Sequence, residues 1–227
     1  MHEQEVIEVV EQRYILSCAY KWLGEKAVHC VAIPDFETKD DLELCQFIWS
    51  LLDEAEIVIA QNGDAFDIKR LNARFIIHKL PPPSPYRTID TLKVAQSTFG
   101  FNSNRLNAIG KDLSEGEKLK HRGFDMWVGC MKGRKQDFED MKRYNKQDVL
   151  LLERIYLRLR PWIKNHPNLS AYNNGSCPKC GSFGLQSRGY TITQMTRFQR
   201  FQCQGCGGWS RNRVAKEAHP RSSHIGL

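Results

Sequence analysis

Nowhere in the 227-residue chain is there a run approaching the roughly 18 consecutive apolar residues of a membrane-spanning helix. The first residues, Met-His-Glu-Gln-Glu, have neither a basic start nor an apolar stretch, so no secretory leader is expected. Internal repeats are missing, which excludes solenoid and array architectures. Acidic residues are almost missing from residues 171–227, where Glu217 stands alone against eight lysines and arginines. That segment therefore carries the whole formal net charge of +7, and residues 1–170 are balanced. A near acid-free basic segment is the electrostatic footprint expected for a polyanionic partner. The bland alternative is a basic tail that serves solubility.

The apolar fraction of 41% is sufficient for a packed core, and the length fits one medium domain plus a small one. Eight cysteines fall into two classes. Cys18, Cys30, Cys45 and Cys130 are scattered among apolar residues and read as buried thiols of a reducing compartment, hence a cytoplasmic protein. Cys177-Pro-Lys-Cys180 and Cys203-Gln-Gly-Cys206 form two CxxC knuckles. Each knuckle brings two sulfurs to one point, and tetrahedral zinc takes four. Structural Zn2+ on Cys177, Cys180, Cys203 and Cys206 is the expectation, with disulfides or a redox pair as the alternative. His121, His166, His219 and His224 lie off ligand spacing from either cysteine pair and read as surface residues.

Apolar periodicity gives an alternating order of strands and helices. Two strands are expected over Tyr14–Trp22 and Ala27–Ile33, turning at Gly24-Glu25. Thr38 with Asp41 resembles a capping box for a helix through Leu52. Glu56–Ala60 reads as a strand buried on both faces, followed by a helix from about Asp67 to Lys79. The Pro81–Pro85 stretch forbids helix and central strand. Arg87–Val94 is a strand or a strand-to-helix transition, and short helices are expected over 101–136. A long helix spans Asp137 to Leu159 and stops before Pro161. Residues 161–176 have linker composition, the cysteine module occupies 177–213, and 214–227 reads as a loose tail. The fold class expected is α/β with a small β module.

Three aspartates stand where solvation does not explain them. Asp67 follows a buried strand at the start of a helix, where it is either a first-turn acid favoured by the helix dipole or a ligand. Asp148 shares a helix face with Tyr144 and with Met141, Leu151 and Ile155. A carboxylate on an apolar stripe needs a cation or hydrogen bonds, so a metal or a salt bridge is expected there. Asp90, after the proline loop, is either a third ligand or a structural carboxylate.

QNGDAFDIKRL, with Asp67, resembles the second motif of the DEDD 3′–5′ exonuclease superfamily. RTIDTLKVA is similar to the segment that often follows it, and Tyr144-Asn145-Lys146-Gln147-Asp148 resembles the third motif in its tyrosine form. ILSCAYKWLGEK is similar to ribonuclease H-like domains found in bacteria and phages. The resemblance covers about residues 14 to 160 and implies a ribonuclease H-like domain over 1–160. It implies two Mg2+ or Mn2+ ions held by carboxylates, one activating water and one stabilising the leaving 3′ oxygen. Residue by residue, Asp67 and Asp148 would be ligands, Asp90 a further catalytic-site carboxylate, and Tyr144 the group orienting water. Asn62 would support the loop near the 3′ nucleotide, Phe66 would be a further substrate-binding residue, and Gln61 stands where the family usually has histidine.

The family's first motif, Asp-x-Glu on a central strand, has no counterpart before Tyr14. The acids present there are Glu3, Glu5, Glu8 and Glu11. Glu8, on a strand over Glu5–Val10, is one candidate substitute; the other expectation is a start downstream of that strand. The chain then keeps only part of the metal site and loses a middle strand.

The C-terminal module resembles a zinc ribbon, with a hairpin expected over Tyr190–Gln202. Phe198, Phe201 and Trp209 interleave with Arg197, Arg200, Arg211 and Arg213, giving stacking platforms beside phosphate contacts. The alternative places the aromatics in the ribbon's small core. The function implied is metal-dependent hydrolysis of DNA or RNA from single-stranded 3′ ends, with a replication or repair protein as a further candidate partner. The second reading is a degenerate nuclease domain that only binds nucleic acid or a partner.

Overall fold

A computed structural model describes residues 14–33, 39–119, 122–170, 175–193 and 196–215. The expected Glu5–Val10 strand with Glu8, Thr38 of the capping box, His121, His219, His224 and the tail from Lys216 lie outside these residues.

The first elements among the described residues are an antiparallel pair, β1 (Ser17–Tyr20) and β2 (His29–Ala32), registered with Cys18 opposite Val31. Gly24, at φ 92, makes the turn between them in a backbone region that a side chain would strain. Helix α1 (Leu42–Glu54) places Leu44, Cys45, Ile48 and Leu52 in the core. It packs on α2 (Asp67–Ile77), whose Phe75 joins the same cluster with Ile33.

Between α1 and α2 runs β3 (Ile57–Ala60), parallel to β4 (Arg87–Asp90) with Ile59 opposite Ile89. The all-apolar run predicts a strand sealed on both faces, yet all four β3 residues are half-buried. The reason is positional: among the described residues β3 pairs with β4 alone, so one flank has no neighbouring strand there. A proline-rich loop, tied by Trp49 Nε1 donating to the Pro81 carbonyl at 2.6 Å, leads into β4.

Helix α3 (Thr91–Thr98) starts at the residue after β4, and α4 (Leu106–Asp112) and α5 (Phe124–Met131) follow. The 25-residue α6 (Lys135–Leu159) packs on α3, α4, α5, β1 and β2. Its apolar stripe serves two clusters. Leu151, Ile155 and Leu159 meet Ala95, Leu106 and Ile109, while Phe138 and Met141 meet Met126 and Cys130. Such a stripe at helical spacing explains why one helix can join the β1–β2 pair to the later helices α3, α4 and α5.

Beyond α6 the chain is anchored where composition suggests a linker. Ile163 is buried with Ile89 and Tyr156. His166 is half-buried, not a surface residue: its Nε2 lies 2.8 Å from Tyr156 Oη, and the two rings stack. Burial holds its pKa below the ordinary value. The last sheet is antiparallel, ordered β5 (Leu185–Ile192), β6 (Arg197–Cys203), β7 (Trp209–Arg211). It is tied back to the α6 end by Lys179 Nζ donating to the Pro161 carbonyl at 2.5 Å and by Leu169 N–H donating to Pro178 O at 2.8 Å. The described residues contain no helix long and apolar enough to cross a membrane.

Candidate nuclease-like site and cysteine module

The Gln61–Asp67 segment is built around one buried carboxylate. Asn62 sits in the left-handed region at φ 63, which asparagine tolerates better than most residues. This bend turns its N–H onto Asp90 Oδ1 at 2.8 Å, and Asp64 N–H meets Asp90 Oδ2 at 3.4 Å. Asp90 Oδ1 also accepts the Leu92 N–H at 3.0 Å, capping α3. Gln61 is a cross-brace: its Oε1 accepts from Thr91 Oγ1 at 2.6 Å and its Nε2 donates to Asn104 O at 2.9 Å.

Asp67 is the first residue of α2 and is exposed. Partial desolvation, with a smaller push from the Asp90 charge, holds its carboxyl above the ordinary pKa against the pull of Arg70. Arg70 lies 3.6 Å over the ring of Phe66, itself an exposed aromatic. The Asp67 charge also adds to the burial that pushes the Cys18 thiol up to about 12. Cys18 is on β1, and β1 is bonded to α6 by Asn145 Nδ2 donating to Ser17 Oγ at 2.9 Å. Strand β1 thus lies against the middle of α6.

On α6, Tyr144 and Asp148 converge on a residue that no motif marks. Lys118 Nζ donates to Asp148 Oδ2 at 2.5 Å and to Tyr144 Oη at 3.0 Å. Burial works against its ammonium, but these partners hold its pKa above the ordinary value. Asp148 Oδ1 is buried and has no hydrogen-bond partner among the described residues. Sequence reasoning misses Lys118 because it is one lysine in a polar stretch of mixed charge, indistinguishable there from solvated lysines.

An orphaned buried carboxylate oxygen fits a hard divalent cation, for which oxygen donors are the natural ligands. The rest of the donor set fits less completely. Among the described residues Asp67, Asp90 and Asp148 do not form a three-ligand group. The groups that do are the four module cysteines and Asp41–Cys45–His78. The second already holds a cation: Arg74 grips the fully buried Asp41 carboxylate through Nε at 2.9 Å and Nη2 at 2.5 Å.

The cysteine module is the clearer candidate for a metal site. Cys177 Sγ lies 3.8 Å from Cys206 Sγ, and Cys180 Sγ 3.7 Å from Cys203 Sγ. A tetrahedron with zinc–sulfur bonds near 2.3 Å has edges of about 3.8 Å, whereas a disulfide needs about 2.05 Å. Both knuckles close alike, with Gly181 N–H on Cys177 O at 2.8 Å and Gly207 N–H on Cys203 O at 2.9 Å. Gly181 and Gly207 have φ of 77 and 75, where a Cβ would be strained. Burial raises Cys203, but the N–H groups of Cys206 and Gly205 and the neighbouring thiols bring it down to about 7. Burial foremost pushes Cys206 up to about 12. This donor set suits zinc, which favours thiolate ligands.

Strand alternation sorts the module's aromatics. Phe198, Arg200 and Gln202 share one face of β6. Arg211 lies opposite Arg200 and Trp209 opposite Gln202, on that same face. Arg211 is stacked 3.9 Å from Phe198 and Arg200 5.0 Å from Trp209. Phe201, with Cys203, is on the opposite face, as is Arg197, which covers Tyr190 at 4.8 Å. Arg213 follows β7. The four arginines expected to act together therefore divide, with Arg200 and Arg211 forming the ladder.

No curated protein matches the chain. A family model described as RNase_H superfamily matches residues 11–160, which spans both the Asn62–Asp90 loop system and the Lys118–Tyr144–Asp148 cluster, and by that match the chain belongs to the RNase H superfamily.

Proposed function

We propose that the protein is a metal-dependent 3′–5′ exonuclease-type phosphodiester hydrolase acting on single-stranded DNA or RNA. Its nuclease domain would span 1–160, and a zinc ribbon over 177–213, after a 161–176 connector, would hold the substrate strand. The observation that carries this reading is the buried Oδ1 of Asp148, which has no hydrogen-bond partner among the described residues, on a side chain that Lys118 joins to the Tyr144 hydroxyl. A carboxylate oxygen in that state is matched by a divalent cation.

In this reading Asp148 and Asp67 hold Mg2+ or Mn2+, which when bound polarises the scissile phosphate and lowers the pKa of water. Tyr144 orients the water through its hydroxyl. Asp90 positions the Asn62 loop, and Phe66 with Arg70 offers an aromatic and cationic shelf to the terminal nucleotide. The ladder of Phe198, Arg211, Arg200 and Trp209 stacks unpaired bases while Arg197 and Arg213 meet phosphates. The free thiols of Cys18, Cys30, Cys45 and Cys130 support a reducing, cytoplasmic setting, in a bacterium or a phage-infected cell.

The deciding experiment digests a 5′-labelled single strand with Mg2+ or Mn2+. Stepwise shortening from the 3′ end that disappears in Asp148→Asn and with a chelator supports the enzyme. A second reading, a domain that binds nucleic acid without cutting it, is favoured by the missing three-carboxylate group among the described residues. Intact strand binding with no cleavage by any form would establish it.

A further inference from the structure

We propose that Lys118 is a built-in cation at Asp148, standing where a second divalent ion would otherwise sit, so that the site takes one metal ion through Asp148 Oδ1. This rests on the reading of Asp148 as a metal ligand.

The carboxylate is divided between two kinds of partner. Oδ2 is taken by the Lys118 ammonium at 2.5 Å, while Oδ1 is buried and unpaired among the described residues. Lys118 is held in place from three directions. Its backbone N–H donates to Asn107 Oδ1 on α4 at 2.8 Å. Its loop is pinned to α6 by Arg154 Nε, which donates to Glu115 O at 2.8 Å, and by Arg158 against the Glu115 carboxylate at 3.5 Å. The Tyr144 ring lies 5.2 Å from the ammonium. A side chain fixed in this way is a positioned charge rather than a wandering surface lysine.

Charge then limits the metal count. One unit of positive charge already faces Asp148, and no three-ligand carboxylate group lies among the described residues to offset more. A second divalent ion on Oδ2 would meet the ammonium at contact distance, where like charges repel strongly outside bulk water. Of the three Lys118 donors, Asp148 and Tyr144 occupy two. With no further partner for it among the described residues, the third would meet a phosphodiester oxygen, the role a second metal ion would have filled.

The test is Mn2+ titration of the full-length, zinc-loaded chain, following free Mn2+ by electron paramagnetic resonance. Wild type is expected to bind one Mn2+ per chain. Lys118→Met should bind it at least about tenfold more tightly or take a second ion, because a repelling unit charge is gone. Lys118→Arg, which keeps the charge, should behave like wild type, and Asp148→Asn should lose the ion. Unchanged stoichiometry and affinity in Lys118→Met, or a Lys118→Arg that behaves like Lys118→Met, overturns the role of Lys118 alone. Mn2+ binding that ignores Asp148→Asn overturns the ligand reading as well.

Discussion

Asn62 donates its backbone N–H to Asp90 across 2.8 Å, joining the loop after β3 to the N-terminus of α3. The two segments are parallel strand ends, so the carboxylate at the end of β4 can serve both at once. It meets the N–H groups of Asn62, Asp64 and Leu92. A buried acid so surrounded is satisfied by backbone dipoles, and its removal orphans three donors. Asp67 rides on this loop, so the geometry of the proposed ligand depends on Asp90 even without direct contact.

Asp90→Ala is therefore expected to lower stability by about 1–3 kcal/mol through loss of the cap and the loop bonds. Asp90→Asn keeps an acceptor oxygen and should lose much less. Urea denaturation of both variants checks the order. Equal losses would mean that charge, not hydrogen bonding, is what the site needs.

The division between legible and illegible features follows physical range. Local signals reach the sequence directly: the apolar stripe Phe138, Met141, Leu151, Ile155 marks α6, and the CxxC spacing marks the sulfur cluster. The same holds for Asp67 at a helix start and for Asp148 beside Tyr144 on one helix face. Lys118 is illegible because its meaning lies in a bond to a residue 30 positions away. Likewise nothing local says that Asp41 abandons its helix cap. It turns to Arg74 and His78, with no side-chain cap bond on α1. The faces of the β6 ladder require the register with β7, which alternation alone cannot supply.

Asp41 gives a pH prediction. It is fully buried; desolvation opposes its charge, but bonds with Arg74, the Ile15 N–H and His78 win and hold its pKa below the ordinary carboxylate value. A depressed folded pKa contributes stability that is fully present above the unfolded value and is lost as pH falls through the folded one. Stability should thus be flat with respect to this group near neutrality and decline only in acid, as pH falls below the ordinary carboxylate range. Asp41→Asn should remove that part of the acid slope in denaturation curves. Asp41→Ala should cost about 1–3 kcal/mol at neutral pH, since it leaves the half-buried Arg74 guanidinium without its carboxylate.

The cysteine module makes a compositional prediction. One zinc per chain is expected by elemental analysis of protein purified under reducing conditions. Cys203→Ser should reduce this to well below half an equivalent, because a hydroxyl is a poor replacement for a thiolate ligand. Chelation should expose the module to proteolysis while leaving the α6 core protected, since metal binding and folding of such small modules are coupled. Zinc content unchanged by Cys203→Ser would remove the site.

The ladder makes the sharpest separation between charge and stacking. Trp209 and Phe198 lie on one face with Arg200 and Arg211, each guanidinium already seated on an aromatic ring. Arg200 is further fixed by donating Nε to Arg188 O at 2.6 Å. An arginine held flat against a ring offers a second planar surface as well as a charge, so bases can stack on either kind of side chain. Trp209→Ala should weaken binding of a single-stranded oligonucleotide by about 1–3 kcal/mol with little change in salt dependence. Arg213→Ala, beyond β7, should instead reduce the salt slope by about one unit, the share of a single phosphate partner. Fluorescence anisotropy at several salt concentrations distinguishes the two. If Trp209→Ala changes only the slope, the face is an electrostatic surface and the rings merely support its arginines.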